Sequence, residues 1–407
     1  MQKKTTKKKA ATLDADHNDL EKARHRSVLS RRRRTLQRRN TVWNSSGELV
    51  SWHCRKACCE LRFENLAVVV FPFADGNARV FVSGTDGASR PPSFAVESLP
   101  APAAPELSAN DLSVTITWCS SILEIERVSG IMRLQCSGRR YFSSLRFFRG
   151  ADDFRAEIAL ETNDHIYGLG EKMGMLDKRG RTWRMWNTDE GNQKPTADPL
   201  YQSIPFFLQF SPERTAGVFV DSAALSWFDM GDTESATAAV EVRDDFLDCY
   251  LFQGETPGKV IETYTSLTGR MPLPPEWALG FQQCRYSYYP DSRVREIASI
   301  MREKKIPCDV IYLDIHYMDD YRVFTWDGQR FPDPDGLLAD LADQGFRVVT
   351  IVDPGVKAEP DYQVYRSGKE KKAFCRFPEG EMYVGKVWPG EAVFPDFSRE
   401  EVRVWWA

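Results

Sequence analysis

The chain has 407 residues, 42% of them apolar and 28% charged, with a formal net charge of −4. That length suits two or three domains, and that balance excludes a collagen-like, wholly disordered or membrane-embedded polypeptide. The charge is uneven: residues 1–40 hold 14 Lys and Arg against Asp14, Asp16, Asp19 and Glu21, so a basic tail precedes an acidic body.

Residues 1–44 read as that tail. "KKTTKKK" and "SRRRRTLQRR" flank "DADHNDLEKARHRSVL", which has helical composition but no packed face, so disorder is the expectation. Arginine runs bind phosphates, yet nothing around this one marks a nucleic-acid module, and a solvated tail is the stronger reading.

From Leu49 the texture changes to short runs rich in β-branched and aromatic residues, among them "LAVVVFPF", "ARVFVSG", "LSVTITW", "ILEIERVSG" and "YFSSLRFF". Their period-two alternation and short turn-rich spacers predict antiparallel strands, and residues 45–270 read as a β-sandwich domain. "TPGKVIETYTSLTG" predicts a helix with Thr256 as its cap, Pro257 in its first turn and Gly269 at its stop. Between the strands, residues 167–210 are too polar and glycine-rich for a core and read as a long ordered excursion carrying Trp183, Trp186 and Asp189. Two indoles and a carboxylate suit a sugar, which offers apolar ring faces and hydroxyl donors.

After the prolines of "RMPLPPEW" the rhythm changes again. "WALGFQQCR", "DVIYLDI" and "RVVTIVDP" predict strands about thirty residues apart, and "DSRVREIASIMREKK" and "PDGLLADLADQ" predict the helices between them. Residues 271–407 therefore read as an α/β domain with a parallel sheet. No glycine-rich turn follows the first strand, so a (β/α)8 barrel is favoured over a dinucleotide-binding sheet. Asp314 and Asp353 each close an apolar strand, and both are expected to open into one mouth at the carboxyl ends of the strands. A barrel takes about 250 residues, and "SREEVRVWWA", with Ser398 and Glu401 in capping-box spacing, ends the sequence far short of that. An incomplete barrel is the expectation.

Nine cysteines are scattered along the chain. His53, Cys54, Cys58 and Cys59 resemble half of a zinc site, but no second ligand pair has the right spacing, so no metal is expected. Reduced thiols, the lack of an apolar signal core and the lack of a membrane-length apolar run place the expectation in the cytoplasm.

The stretches "IYGLGEK", "RMWNTDE", "DPLYQSIPFF", "ALGFQQCRYSYYP", "IPCDVIYLDIHYMDDYRVFTWD", "VTIVDPGVK", "YVGKVWPG" and "FPDFSREEVRVWW" together resemble glycoside hydrolase family 31, the α-glucosidase group, from about Phe154 to Trp406. The resemblance implies a galactose-mutarotase-like β-sandwich followed by a (β/α)8 barrel, and retaining hydrolysis of terminal α-linked glucose or a related sugar without a cofactor. It implies that Asp314 binds hydroxyls of the terminal sugar, that Ile315, Ile351 and Trp388 wall the same subsite, and that Asp189 reaches the next sugar. His316 is a departure, since the family commonly has Asp there; it is expected to donate to a sugar hydroxyl or to Asp314. The family's nucleophile lies in a "DMNEP"-like motif, which is absent from this sequence, and its acid/base lies further on. No residue here is therefore assigned either role. The expectation is the front part of an α-glucosidase that is inactive alone, its ligand an oligosaccharide or α-glucoside and its partner a missing C-terminal half. The alternative is an inactive fragment or a non-catalytic protein that binds carbohydrate or a partner.

Overall fold

The computed structural model describes residue 38 and residues 41–87, 92–191 and 193–407. The chain forms two compact units, Met1–Arg270 and Met271–Ala407. The helical composition of "DADHNDLEKARHRSVL" lies outside the described residues. Arg38 is described, and its guanidinium meets Glu241 at 2.6 Å.

The first unit is a two-layer β-sandwich. One sheet runs in the order β13 (Thr182–Met185), β16 (Ser226–Met230), β17 (Thr237–Val242), β11 (Phe154–Ala159), β10 (Arg139–Arg149), β9 (Met132–Cys136), β8 (Ser121–Glu126), β7 (Ser113–Trp118), β6 (Glu106–Ala109), with β1 (Asn44–Ser45) added to β10. The other runs β12 (His165–Gly170), β14 (Ser203–Ser211), β15 (Arg214–Val220), β18 (Phe246–Gly254), β5 (Ala78–Ser83), β4 (Ala67–Pro72), β3 (Cys59–Phe63), β2 (Leu49–Cys54). Neighbours pair antiparallel, as in β10 with β11 and β15 with β18. Alternate residues point inward, so Val68 and Val70 of one sheet and Ile125, Phe147 and Ile158 of the other share one buried core. Each large apolar side chain buried there contributes about 1.5–3 kcal/mol.

β15 and β18 are buried on nearly every residue. Their outer face is covered by helix α1 (Pro257–Thr268), whose Val260 and Tyr264 sit on Phe206, Phe219 and Phe252. The α1 signals read from sequence are all in place: Thr256 Oγ1 accepts from the Lys259 amide at 3.3 Å, Pro257 opens the helix, and Gly269 ends it at φ +90°.

Two expectations for this unit are corrected. The antiparallel register sets Cys54 opposite Cys59, and the two form a disulfide across the β2–β3 turn; the cysteines are thus not all reduced, and two of the thiols weighed for zinc are spent on each other. The excursion at 167–210 is interrupted by β13, which joins the sheet edge beside β16 and turns Trp183 inward. Trp183 is 1% exposed and its indole N–H donates to the Lys178 carbonyl at 3.0 Å, so it is a core residue and no part of an aromatic shelf.

The second unit starts as two successive βα repeats. Parallel strands β19 (Gln282–Gln283), β20 (Val310–Leu313) and β21 (Arg347–Thr350) lie in that order, with α2 (Asp291–Glu303) and α3 (Pro334–Asp343) as crossovers. The predicted strand "WALGFQQCR" shrinks to two residues, because Glu276–Ala278 forms a 3-10 turn and only Gln282 and Gln283 find partners on β20. Beyond β21, β22 (Val356–Lys357), β24 (Gly390–Val393) and β23 (Val384–Val387) make a small antiparallel sheet, accompanied by α4 (Gln363–Glu370) and α5 (Glu400–Trp406). The capping box expected at Ser398 and Glu401 does not form. Ser398 Oγ donates to Asp396 at 2.6 Å, and Glu401 is taken by the Arg399 guanidinium. Among the described residues, no helix is long and apolar enough to cross a membrane.

Candidate functional site

β20 delivers the first carboxylate. Its apolar residues Val310, Ile311 and Leu313 are buried, and the strand stops at Asp314, whose Oδ1 accepts from the Ile315 amide at 2.7 Å and caps a 3-10 turn over Ile315–Tyr317. That turn is tied to the end of β21: Ile351 N donates to the Leu313 carbonyl at 2.9 Å, and Tyr317 Oη donates to the Ile351 carbonyl at 2.9 Å. β21 then carries the second carboxylate, Asp353, two residues on.

The electrostatics place the two acids in one field. Burial raises the Asp353 carboxyl above its ordinary range, and the Asp314 charge raises it further. The Cys284 thiol, just past β19, is also raised by burial and by Asp314. Burial raises the Tyr317 hydroxyl, and the Asp353 charge adds to it. The ends of β19 and β21 therefore flank Asp314 at the end of β20, the strand between them.

His316 stands in an aromatic box that the sequence reading missed. Its ring stacks on Tyr289 at 4.7 Å and 12°, and meets Tyr286 and Tyr321 edge-on at 5.1 and 5.7 Å. Arg330 lies over Tyr289 at 5.1 Å and donates to the His316 carbonyl at 3.2 Å. Burial lowers the imidazole pKa, Arg330 lowers it further and Asp314 opposes both, so the ring is held neutral. Its Nδ1 is buried without a hydrogen-bond partner among the described residues. "RYSYYP" supplies two of the three tyrosines, but its link to a histidine about thirty residues away comes from β19–β20 pairing, which sequence periodicity does not reveal. Tyr321 and Arg330 also line a cleft of about 350 Å³, with Asp319, Asp320 and Asp327 among its walls. Asp314, Ile351 and Trp388 do not line that cleft.

The remaining expected residues are dispersed. Ile315 is 4% exposed and belongs to the core of the unit. Ile351 is half-buried against the same core. Trp388 is 65% exposed at the tip of the β23–β24 hairpin. That hairpin packs on the segment leading into β22, where a Cβ at Gly355 would come within 2.7 Å of Val387. Asp189 belongs to the other unit, exposed on the excursion after β13, where its carboxylate raises the Tyr201 hydroxyl in second place to desolvation. Trp186 beside it is 42% exposed. Among the described residues, no group of three His, Cys, Asp or Glu is arranged to hold a metal.

Residues 67–229 match the glycosyl hydrolase 31 N-terminal galactose mutarotase-like domain, and residues 271–407 match the glycosyl hydrolases family 31 TIM-barrel domain. Alpha-glucosidase 2 of Bacillus thermoamyloliquefaciens is 41% identical over 373 residues, covering 90% of this chain and 46% of that protein. The alpha-glucosidase of Saccharolobus solfataricus is 42% identical over 251 residues, covering 62% of this chain and 36% of its own length. Among solved structures, a dextranase of the same family from Flavobacterium johnsoniae, complexed with isomaltotriose, superposes with a TM-score of 0.82 at 26% identity, covering 89% of this chain and 45% of that one. The chain thus spans about half the length, or less, of these relatives.

Proposed function

Because the chain belongs to glycoside hydrolase family 31, we propose that the protein it forms is a retaining glycosidase of α-glucosidase type, releasing terminal α-linked glucose or a related sugar. The observation that carries this reading is the pair of carboxylates at adjacent strand ends, Asp314 and Asp353, set in one electrostatic field beside β19. Carboxylates so placed accept hydrogen bonds from adjacent sugar hydroxyls, and burial makes those bonds strong.

In this reading Asp314 grips hydroxyls of the terminal sugar. His316, kept neutral by burial and Arg330, offers a ring nitrogen to a neighbouring hydroxyl. Ile351 and Trp388 supply apolar walls, Ile315 backs the site from the core, and Asp189 contributes a further hydroxyl contact. Retaining hydrolysis needs a nucleophilic carboxylate and an acid/base carboxyl roughly 5 Å apart, with water completing the second step. Neither role is given to Asp314 or Asp353, so the activity is proposed for the protein as a whole, with the nucleophile and acid/base outside these 407 residues. An oligosaccharide of α-linked glucose is the favoured substrate, in keeping with the relatives named alpha-glucosidase and with the dextranase complexed with isomaltotriose.

The test is the anomer first released when the intact protein hydrolyses an aryl α-glucoside, followed by proton NMR before mutarotation. Release of α-glucose supports the reading. Release of β-glucose, or no hydrolysis of any α-glucoside, overturns it.

A further inference from the structure

The turn that follows Asp314 is held in an unfavourable backbone. Asp320, Tyr321 and Phe324 all have left-handed φ values, +46°, +60° and +62°, and none is glycine. Such conformations persist only where surrounding contacts impose them, and they gather at functional sites. Here the contacts are explicit. Lys357, at the end of β22, pairs with Asp320 and with Glu359, the latter at 2.8 Å. Arg322 pairs with the same Glu359 at 2.7 Å and with Asp319 at 3.1 Å. Phe324 packs edge-on against Trp406 of α5. A lattice of two cations and three carboxylates thus fastens the loop after β20 to the strand after β21.

Lys357 is its least exposed member, with 13% of its side chain accessible. The residue it fixes, Asp320, precedes Tyr321, and the Tyr321 ring closes one side of the box around His316. Loss of the Lys357 ammonium leaves Asp320 only the longer contact to Arg322, at 3.8 Å, and removes its tie to β22, so that the left-handed turn is free to relax. Tyr321 would then leave the imidazole.

We propose that Lys357 is a positioning residue for the sugar site: through Asp320 it holds Tyr321 against His316 and so fixes the imidazole beside Asp314. The proposal rests on the sugar-site reading above for its consequence and on the ion-pair lattice for its geometry. Lys357 itself touches neither substrate nor reacting atoms in this scheme.

The experiment compares the intact wild-type protein with Lys357→Met, Lys357→Arg, Asp320→Asn and Asp314→Ala. Two readouts are taken: the ring-proton NMR signals of His316, assigned by their loss in His316→Gln, and KM and kcat on an aryl α-glucoside. Lys357→Met and Asp320→Asn are expected to move the His316 signals toward those of a solvated histidine and to raise KM by about tenfold with kcat within about twofold. Lys357→Arg is expected to restore both. Unshifted His316 signals in Lys357→Met and Asp320→Asn, with thermal stability unchanged, would overturn the proposal. If those signals move but Asp314→Ala leaves kcat/KM intact, the positioning geometry stands and the sugar-site reading fails, so the two failures are separable.

Discussion

Asp353 carries its raised carboxyl at a cost in stability. An acid whose folded pKa lies above its unfolded value is penalised while ionised; the penalty is present at pH above the folded pKa and disappears as pH falls below the unfolded one. Burial is the larger cause and the Asp314 charge the smaller. Asp353→Asn is therefore expected to raise the melting temperature near neutral pH and to give no gain below the ordinary carboxylate range. A stability gain that is the same at both pH extremes, measured by calorimetry, would show that charge is not the cause. At this scale the sequence was informative wherever a polar residue closed an apolar strand, as Asp314 and Asp353 do. It was silent about the box around His316, because Tyr286, Tyr289 and Tyr321 come from segments on either side of α2 and meet only in the fold.

The excursion between β12 and β14 shows how an element is held by a buried ion pair. Lys172, whose side chain is wholly buried, donates to Asp198 at 2.8 Å and to the Arg184 carbonyl at 2.7 Å. Asp198 also accepts from the Arg184 amide at 2.7 Å, so one carboxylate joins both ends of the excursion to β13. Burial lowers the Lys172 pKa and Asp198 counteracts it. Removing one member of a buried pair strands the other, at a cost of about 3–5 kcal/mol. Asp198→Ala is expected to lower the melting temperature and to expose the Trp186–Asp189 segment to limited proteolysis; an unchanged cleavage pattern and melting temperature would show that the pair does not hold the excursion. The polarity and glycine content of this stretch marked it as functional in sequence, but the burial of Trp183 was illegible there. A four-residue edge strand such as β13 leaves too short a period to distinguish an inward indole from an exposed one. The helix α1 was the opposite case, since cap, proline and terminal glycine are local signals and needed no tertiary context.

For the molecule as a whole, composition and strand rhythm separated a β-sandwich from a parallel α/β unit, and the structure has both. The sandwich was legible because its sheets alternate inward and outward residues; the βα repeats were legible because buried parallel strands read as apolar runs of regular spacing. Charge patterning was less telling: nothing local in the sequence announced that Arg38, at the border of the basic segment, pairs with Glu241 about two hundred residues away. The central claim is that β20 and β21 bring their terminal carboxylates into one sugar-binding site, with Asp314 as the principal contact. Its most direct test is kcat/KM of the intact protein on an aryl α-glucoside with Asp314→Asn. A charged hydrogen bond to a buried hydroxyl is worth about 1.5–3 kcal/mol, so a fall of at least about tenfold at unchanged melting temperature is predicted; a kcat/KM equal to that of the wild type would contradict the account.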